Sequence, residues 1–155
     1  MAENAVPTNN ERIRLAFDAL TSGLFPFVER RMKAVYGDEW IAVARESFRD
    51  DRVGNAMPRG EVIRWDAHSL LTVMWDQWNR VFKSSLAPYE RSLISELREF
   101  RNRWAHQDKF WFDDSYRVLD SAERMLRSVD APAEVAALAA SKRDLLWREF
   151  TRQSQ

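Results

Sequence analysis

The chain contains no cysteine. Disulfides, a cysteine nucleophile and thiolate zinc sites are therefore excluded. It holds two histidines, too few to build a multi-histidine metal centre alone, and no DxD or HxxE cluster that would call for Mg²⁺. No metal and no cofactor is expected. Glycine is scarce at four residues, and no glycine-rich loop of the ATP-cradling kind is present. This chain alone is therefore no ATP-driven motor. No segment approaches the roughly 20 apolar residues of a membrane span. The start, MAENAVPTNNERIR, lacks the apolar centre of a signal peptide. A cytoplasmic protein without membrane contact is predicted. Formal net charge is zero, so the whole chain has no strongly basic nucleic-acid footprint.

What is present is a globular chain of 155 residues, 45% hydrophobic and 12% aromatic, with seven tryptophans. That length fits one domain with one core, residues 1–155. Basic residues are biased toward arginine, 20 against 4 lysines. Arginine forks onto phosphate and stacks on bases, although the base composition of a gene produces the same bias.

The hydrophobic pattern is helical almost throughout, with no strand-like alternation and no internal repeat. After a flexible start over 1–10, an asparagine cap signal opens a stripe of Ile13, Phe17, Leu20, Leu24, Phe27, Val28, Met32 and Val35. Gly23 and Pro26 interrupt this stripe and predict a kink or two helices. Gly37 reads as its stop, and DEWIAVARESF as a short helix capped by Asp38. Residues 49–60 form the clear loop, within a Gly- and Pro-bearing run to 65. Asp66 restarts a helix with Leu70, Met74, Trp78 and Phe82 spaced by four. Pro88 opens the next, Asp113 or Asp114 caps another, and Pro132 opens a C-terminal helix over 132–155. The fold class is all-α, a bundle of five to six helices.

One stretch, EFRNRWAHQD at 99–108, concentrates functional groups. Asn102 and His106 are four apart and share a helix face. Arg101 and His106 are five apart, about 140° of rotation, so they do not stack on one helix. They converge only at a fraying helix end or when a second protomer closes the site. Histidine near neutral pH suits taking the proton of a ribose 2′-hydroxyl. Arginine suits the charge that gathers on the attacked phosphate. Asparagine can orient either group. The same residues also fit a helix C-terminus, where cationic side chains complement the dipole. Spacing alone leaves both readings open.

The string ELREFRNRWAHQ followed by FDDSYRVLDSAERML resembles the HEPN superfamily (higher eukaryotes and prokaryotes nucleotide-binding). That family is marked by an Arg, four to six residues, then a His, often with a polar residue after the Arg. The matching positions are Arg101, Asn102 and His106. FPFVERRMKAVYGDEW and WDAHSLLTVMWDQWNRVF are similar to one subgroup. It includes a transcript-surveillance endoribonuclease and N-terminal segments of ATP-binding phage-defence proteins. The resemblance spans roughly residues 11 to 135 and implies a helical domain that dimerises through the motif helix. Many members cleave RNA without metal, whereas others only bind or dimerise.

The expected function is thus a metal-independent endoribonuclease in a phage-defence or toxin–antitoxin setting. The expected partners are RNA, a second copy, and an antitoxin or larger defence complex. The alternative is a non-catalytic dimerisation or RNA- or nucleotide-binding module of a larger defence protein. Arg101, Asn102 and His106 are the catalytic candidates. Arg98, Arg103, Trp111 and Asp66 are the substrate-binding candidates. Arg103 also reads as a solvated pair with Glu99, and Asp66 as an N-cap or a support for a motif arginine. His68, beside Asp66, reads as a second proton-transfer group or a plain surface residue.

Overall fold

A computed structural model describes residues 5–48 and 62–155. Six α-helices fill them, with two 3₁₀ turns and no strand among the described residues. They are α1 (Asn9–Tyr36), α2 (Trp40–Glu46), α3 (Ala67–Asp76), α4 (Pro88–Ala105), α5 (Phe112–Ser128) and α6 (Pro132–Gln153). The predicted all-α bundle is what forms. The predicted loop over 49–60 lies outside the described residues.

The long helix α1 is the axis of the bundle. It packs against α5, α3, α6 and α2, and α4 lies across α3 and α5. Thr8, not an asparagine, caps α1 by accepting a hydrogen bond from the Glu11 N–H at 3.1 Å. Asn9 and Asn10 are therefore helical rather than part of a flexible start. Gly37 ends the helix at φ 59°, a conformation that costs any residue with a Cβ.

The break expected at Gly23 and Pro26 does not occur, and α1 runs through both as one 28-residue helix. Leu20, Leu24, Phe27, Val28 and Met32 are buried along it. A Cβ on Gly23 would stand 2.3 Å from the Leu126 side chain and 3.1 Å from Ala131. The glycine lets α1 and α5 approach closely, and this burial outweighs its helix-breaking tendency. Pro26 is exposed on the far face.

Two further caps differ from expectation. α2 follows a 3₁₀ turn over Gly37–Glu39 and has no side-chain cap from Asp38. α5 starts at Phe112 with Trp111 at its N-cap, so Asp113 and Asp114 lie in the first turn, where negative charge suits the helix dipole. Asp66 does cap α3, its Oδ1 accepting from the Ser69 N–H while Ser69 Oγ accepts from the Asp66 N–H, both at 2.9 Å. α3 stops at Asp76, earlier than its stripe implies. Trp78 and Phe82 still reach the core, through turns and a short 3₁₀ segment.

Candidate functional site

The motif lies at the C-terminal end of α4. Two of its residues hold that end in place. Trp104 packs 5.4 Å from Phe17 of α1, ring centroid to ring centroid, and its Nε1–H donates to Asn10 Oδ1 at 2.7 Å. Arg103 donates to Asp114 at 2.9 Å, lies 3.6 Å from Asp108, and spreads over the Phe110 and Phe100 rings. The hydrogen bond to Asp114, reinforced by both carboxylates, holds its guanidinium even more firmly charged than usual. Arg103 thus pairs with the start of α5 rather than with Glu99.

The helix then ends in a Schellman turn. The Gln107 N–H donates to Trp104 O and the Asp108 N–H to Arg103 O, both at 3.1 Å. The residue between, Gln107, sits at φ 61°, where glycine is usual. His106 occupies the C-cap itself, its N–H donating to Asn102 O.

With Arg103 and Trp104 committed to packing, Arg101, Asn102 and His106 face other ways. Among the described residues, none of these three side chains has a hydrogen-bond or ion-pair partner. Asn102 and His106 are exposed and Arg101 is half-buried. Arg101 lines a cleft of about 460 Å³ with Asn10, Arg14, Trp104, Gln107 and Asp108. A neighbouring cleft of about 400 Å³ shares Asn10 and Asp108 and is walled by Trp111. Trp111 is 70% exposed, with the Lys109 ammonium 5.9 Å from its ring. The structure thus brings Trp111 and Arg101 to adjoining clefts. It does not bring Asn102 or His106 into the Arg101 cleft.

The charge of Arg101 is also felt at the start of α3. His68 is half-buried, and its Nδ1 is buried without a hydrogen-bond partner. Burial, then the positive charge of Arg101, pushes its pKa down. Asp66 pulls it up and Arg98 adds to the lowering. His68 is therefore biased toward the neutral imidazole, by burial first and then by the field of two arginines of α4. Arg98 is itself lowered by burial, offset by Asp76. Asp66 is occupied as the cap of α3.

Arg14 is the residue that sequence reasoning missed. It lies four after Asn10 on α1 and faces the same cleft as Arg101. Only the crossing of α1 and α4 shows this. Among the described residues, no group of three His, Cys, Asp or Glu side chains is placed to hold a metal ion. No described helix is long and apolar enough to cross a membrane.

Comparison with known families decides the affiliation. The family model described as Swt1-like HEPN matches residues 15–130, three quarters of the chain. The chain belongs to the Swt1-like HEPN family. HEPN domains are helical and generally serve as ribonucleases or nucleotide-binding modules. The match takes in α2 to α5 whole and most of α1, including the motif, and leaves α6 outside. No curated protein and no solved structure matches the chain.

Proposed function

We propose that this HEPN domain is a metal-independent endoribonuclease acting as a homodimer in a phage-defence or toxin–antitoxin setting. The observation that carries the reading is Arg101: a half-buried guanidinium in a polar cleft, with no carboxylate partner, beside a second arginine, Arg14. The one carboxylate lining that cleft, Asp108, lies beside Arg103, and the arginine pair that remains suits a phosphate.

The reaction needs no cofactor. The ribose 2′-oxygen attacks the adjacent phosphorus, and the bond to the 5′-oxygen breaks. His106 transfers the proton, Arg101 stabilises the charge on the phosphate, and Asn102 orients one or the other. The proton leaves the 2′-hydroxyl, and another is delivered to the departing 5′-oxygen. Products are a 2′,3′-cyclic phosphate and a 5′-hydroxyl. Because Arg101 and His106 diverge on one helix, a second copy completes the site. RNA is the substrate, and an antitoxin or defence complex would hold the activity in check.

The test is cleavage of a tRNA pool and a single-stranded RNA in EDTA, by wild type, His106→Ala and Arg101→Ala. Cleavage by wild type alone, leaving cyclic ends, supports the proposal. An active double variant sinks it. A second reading, a non-catalytic module of a larger defence assembly, draws on α6. Leu146, Trp147 and Phe150 are 50–65% exposed there, an apolar patch suited to a protein neighbour.

A further inference from the structure

The seam between α3 and α4 carries a second arrangement, away from the motif's own cleft. Trp75 of α3 is half-buried. The Arg91 guanidinium lies 4.7 Å from its ring centroid and that of Arg98 5.8 Å. Arg91, Ser95, Arg98 and Asn102 fall on one face of α4, at spacings of four, three and four. Arg101 lies about 60° to the side of Arg98. Beside Trp75 is a groove of about 430 Å³, lined by Arg91, Ser92, Ser95 and Glu96. The carboxylate of Glu96 is already engaged by Arg117 and Ser121 of α5. Among the described residues, Arg91, Arg98 and Arg101 have no ion pair within 4 Å.

We infer that this seam is a track for single-stranded nucleic acid, on which Arg101, Arg98 and Arg91 take successive backbone phosphates and Trp75 offers a ring for a base. The inference rests on the nuclease reading for its direction, because the track would feed the strand toward Arg101. Arg91 to Arg101 spans about 15 Å of helix. Three cations along that length without a direct ion pair, Asp76 acting on Arg98 only through its field and Glu96 being held by Arg117, match a polyanion better than a single small anion. A groove walled by an aromatic ring, with guanidinium groups 4.7 and 5.8 Å from the ring centroid, suits an unstacked base, which a duplex does not present. The charge is local, so a net charge of zero does not oppose it.

The test uses a fluorescent 12-nucleotide 2′-O-methyl RNA, which lacks the nucleophile and stays intact. Binding by the full chain is followed by anisotropy over a salt series. Arg91→Gln and Arg98→Gln each weaken binding about three- to tenfold. Each also reduces the slope of log affinity against log salt by about 0.7. Trp75→Leu weakens it about tenfold, whereas Trp75→Phe, which keeps a ring and guards against a folding artefact, retains most of the affinity. Arg143→Gln on α6 removes the same charge elsewhere and changes nothing. Equal losses in Arg143→Gln, a preference for duplex over single strand, or unchanged binding in the seam variants overturns the track. So does a shift from dimer to monomer without loss of affinity, which would make the seam a contact between copies.

The two proposals fail separately. Seam-dependent binding without cleavage of unmodified RNA removes the nuclease and keeps the track. Cleavage with wild-type KM in the seam variants removes the track and keeps the nuclease.

Discussion

Two sides of this bundle treat arginine differently. On the side of α5 and α6, almost every cation has a carboxylate. Lys142 bridges Asp120 and Glu123, Arg127 pairs with Glu123, and Arg124 with Asp120. Buried Arg12 binds Asp144 at 2.6 Å and the Ser141 carbonyl at 3.0 Å, tying α6 to α1. On the side of α3 and the end of α4, Arg91, Arg98 and Arg101 rest on aromatic rings or line open clefts. Matched charge holds the helices together. Unmatched charge is left on rings and open clefts, and a balanced total conceals the division.

That contrast breaks first at the motif. Arg101→Ala and His106→Ala should each cost about a hundredfold to ten-thousandfold in RNA cleavage. Neither should move stability beyond about 1 kcal/mol, since neither side chain makes a hydrogen bond or ion pair in the fold. Single-turnover rates and urea midpoints check both halves. A large midpoint shift in either variant would place that residue with the structural arginines. The converse is Arg12→Met. It removes the ties from α1 to Asp144, which keeps Arg148, and to Ser141, and should destabilise the fold by about 1–2 kcal/mol, below the range for a buried pair because Asp144 is partly exposed and still paired. Cleavage per folded molecule should be unchanged. A rate loss without destabilisation would show that α6 acts on the site rather than only bracing it.

How much of this was legible in the sequence follows from how local each feature is. Leu70 and Met74 are buried on α3 as their spacing implies, because helical periodicity is a property of neighbours, whereas Trp78 and Phe82 are buried although the helix has already ended. The motif could be read as a string for the same reason. The continuous α1 could not, because the glycine that threatened to break it fits against Leu126, about a hundred residues away. Arg103 was not assignable either. Its partner Asp114 comes from the next helix, after a turn whose direction a string does not reveal. Nothing in the string singles out Trp75, because the two arginines near its ring come from α4. Asn102 and His106 show the opposite limit. Their spacing put them on one helix face, but the single chain leaves both outside the Arg101 cleft.

A smaller effect sharpens the contrast at the ends of α4 and α5. Both finish in the same turn with a residue other than glycine in the left-handed region, Gln107 after α4 and Asp130 after α5. Asp tolerates that conformation through local hydrogen bonding, whereas Gln has no such relief. Gln107→Gly should therefore stabilise by about 1 kcal/mol, and Asp130→Gly by less. Thermal melts of the two variants check this. Equal gains would mean that the end of α4 carries no more strain than an ordinary helix terminus. A gain at Gln107 accompanied by slower cleavage would tie the strained turn to the positioning of His106.

The smallest effect is also the one that joins fold to ligand. His68 is held below its ordinary pKa, first by burial and then by Arg101. A histidine depressed in the folded state binds its proton more readily when unfolded. Its contribution is therefore intact above the ordinary histidine value, about 6.5, and is lost as pH falls through the folded value. The depressed carboxylates, Asp144, Asp120 and Glu149, act in a lower window, below about pH 4, through the same sign. Melting temperatures between pH 8 and pH 5 should decline for wild type and decline less for His68→Gln. Identical slopes would mean that His68 is not held neutral by its surroundings. A phosphate bound at Arg101 adds negative charge beside the imidazole and offsets part of the depression. With a saturating 2′-O-methyl RNA, the wild-type slope should therefore flatten toward that of the variant, whereas a strand bound elsewhere leaves it unchanged.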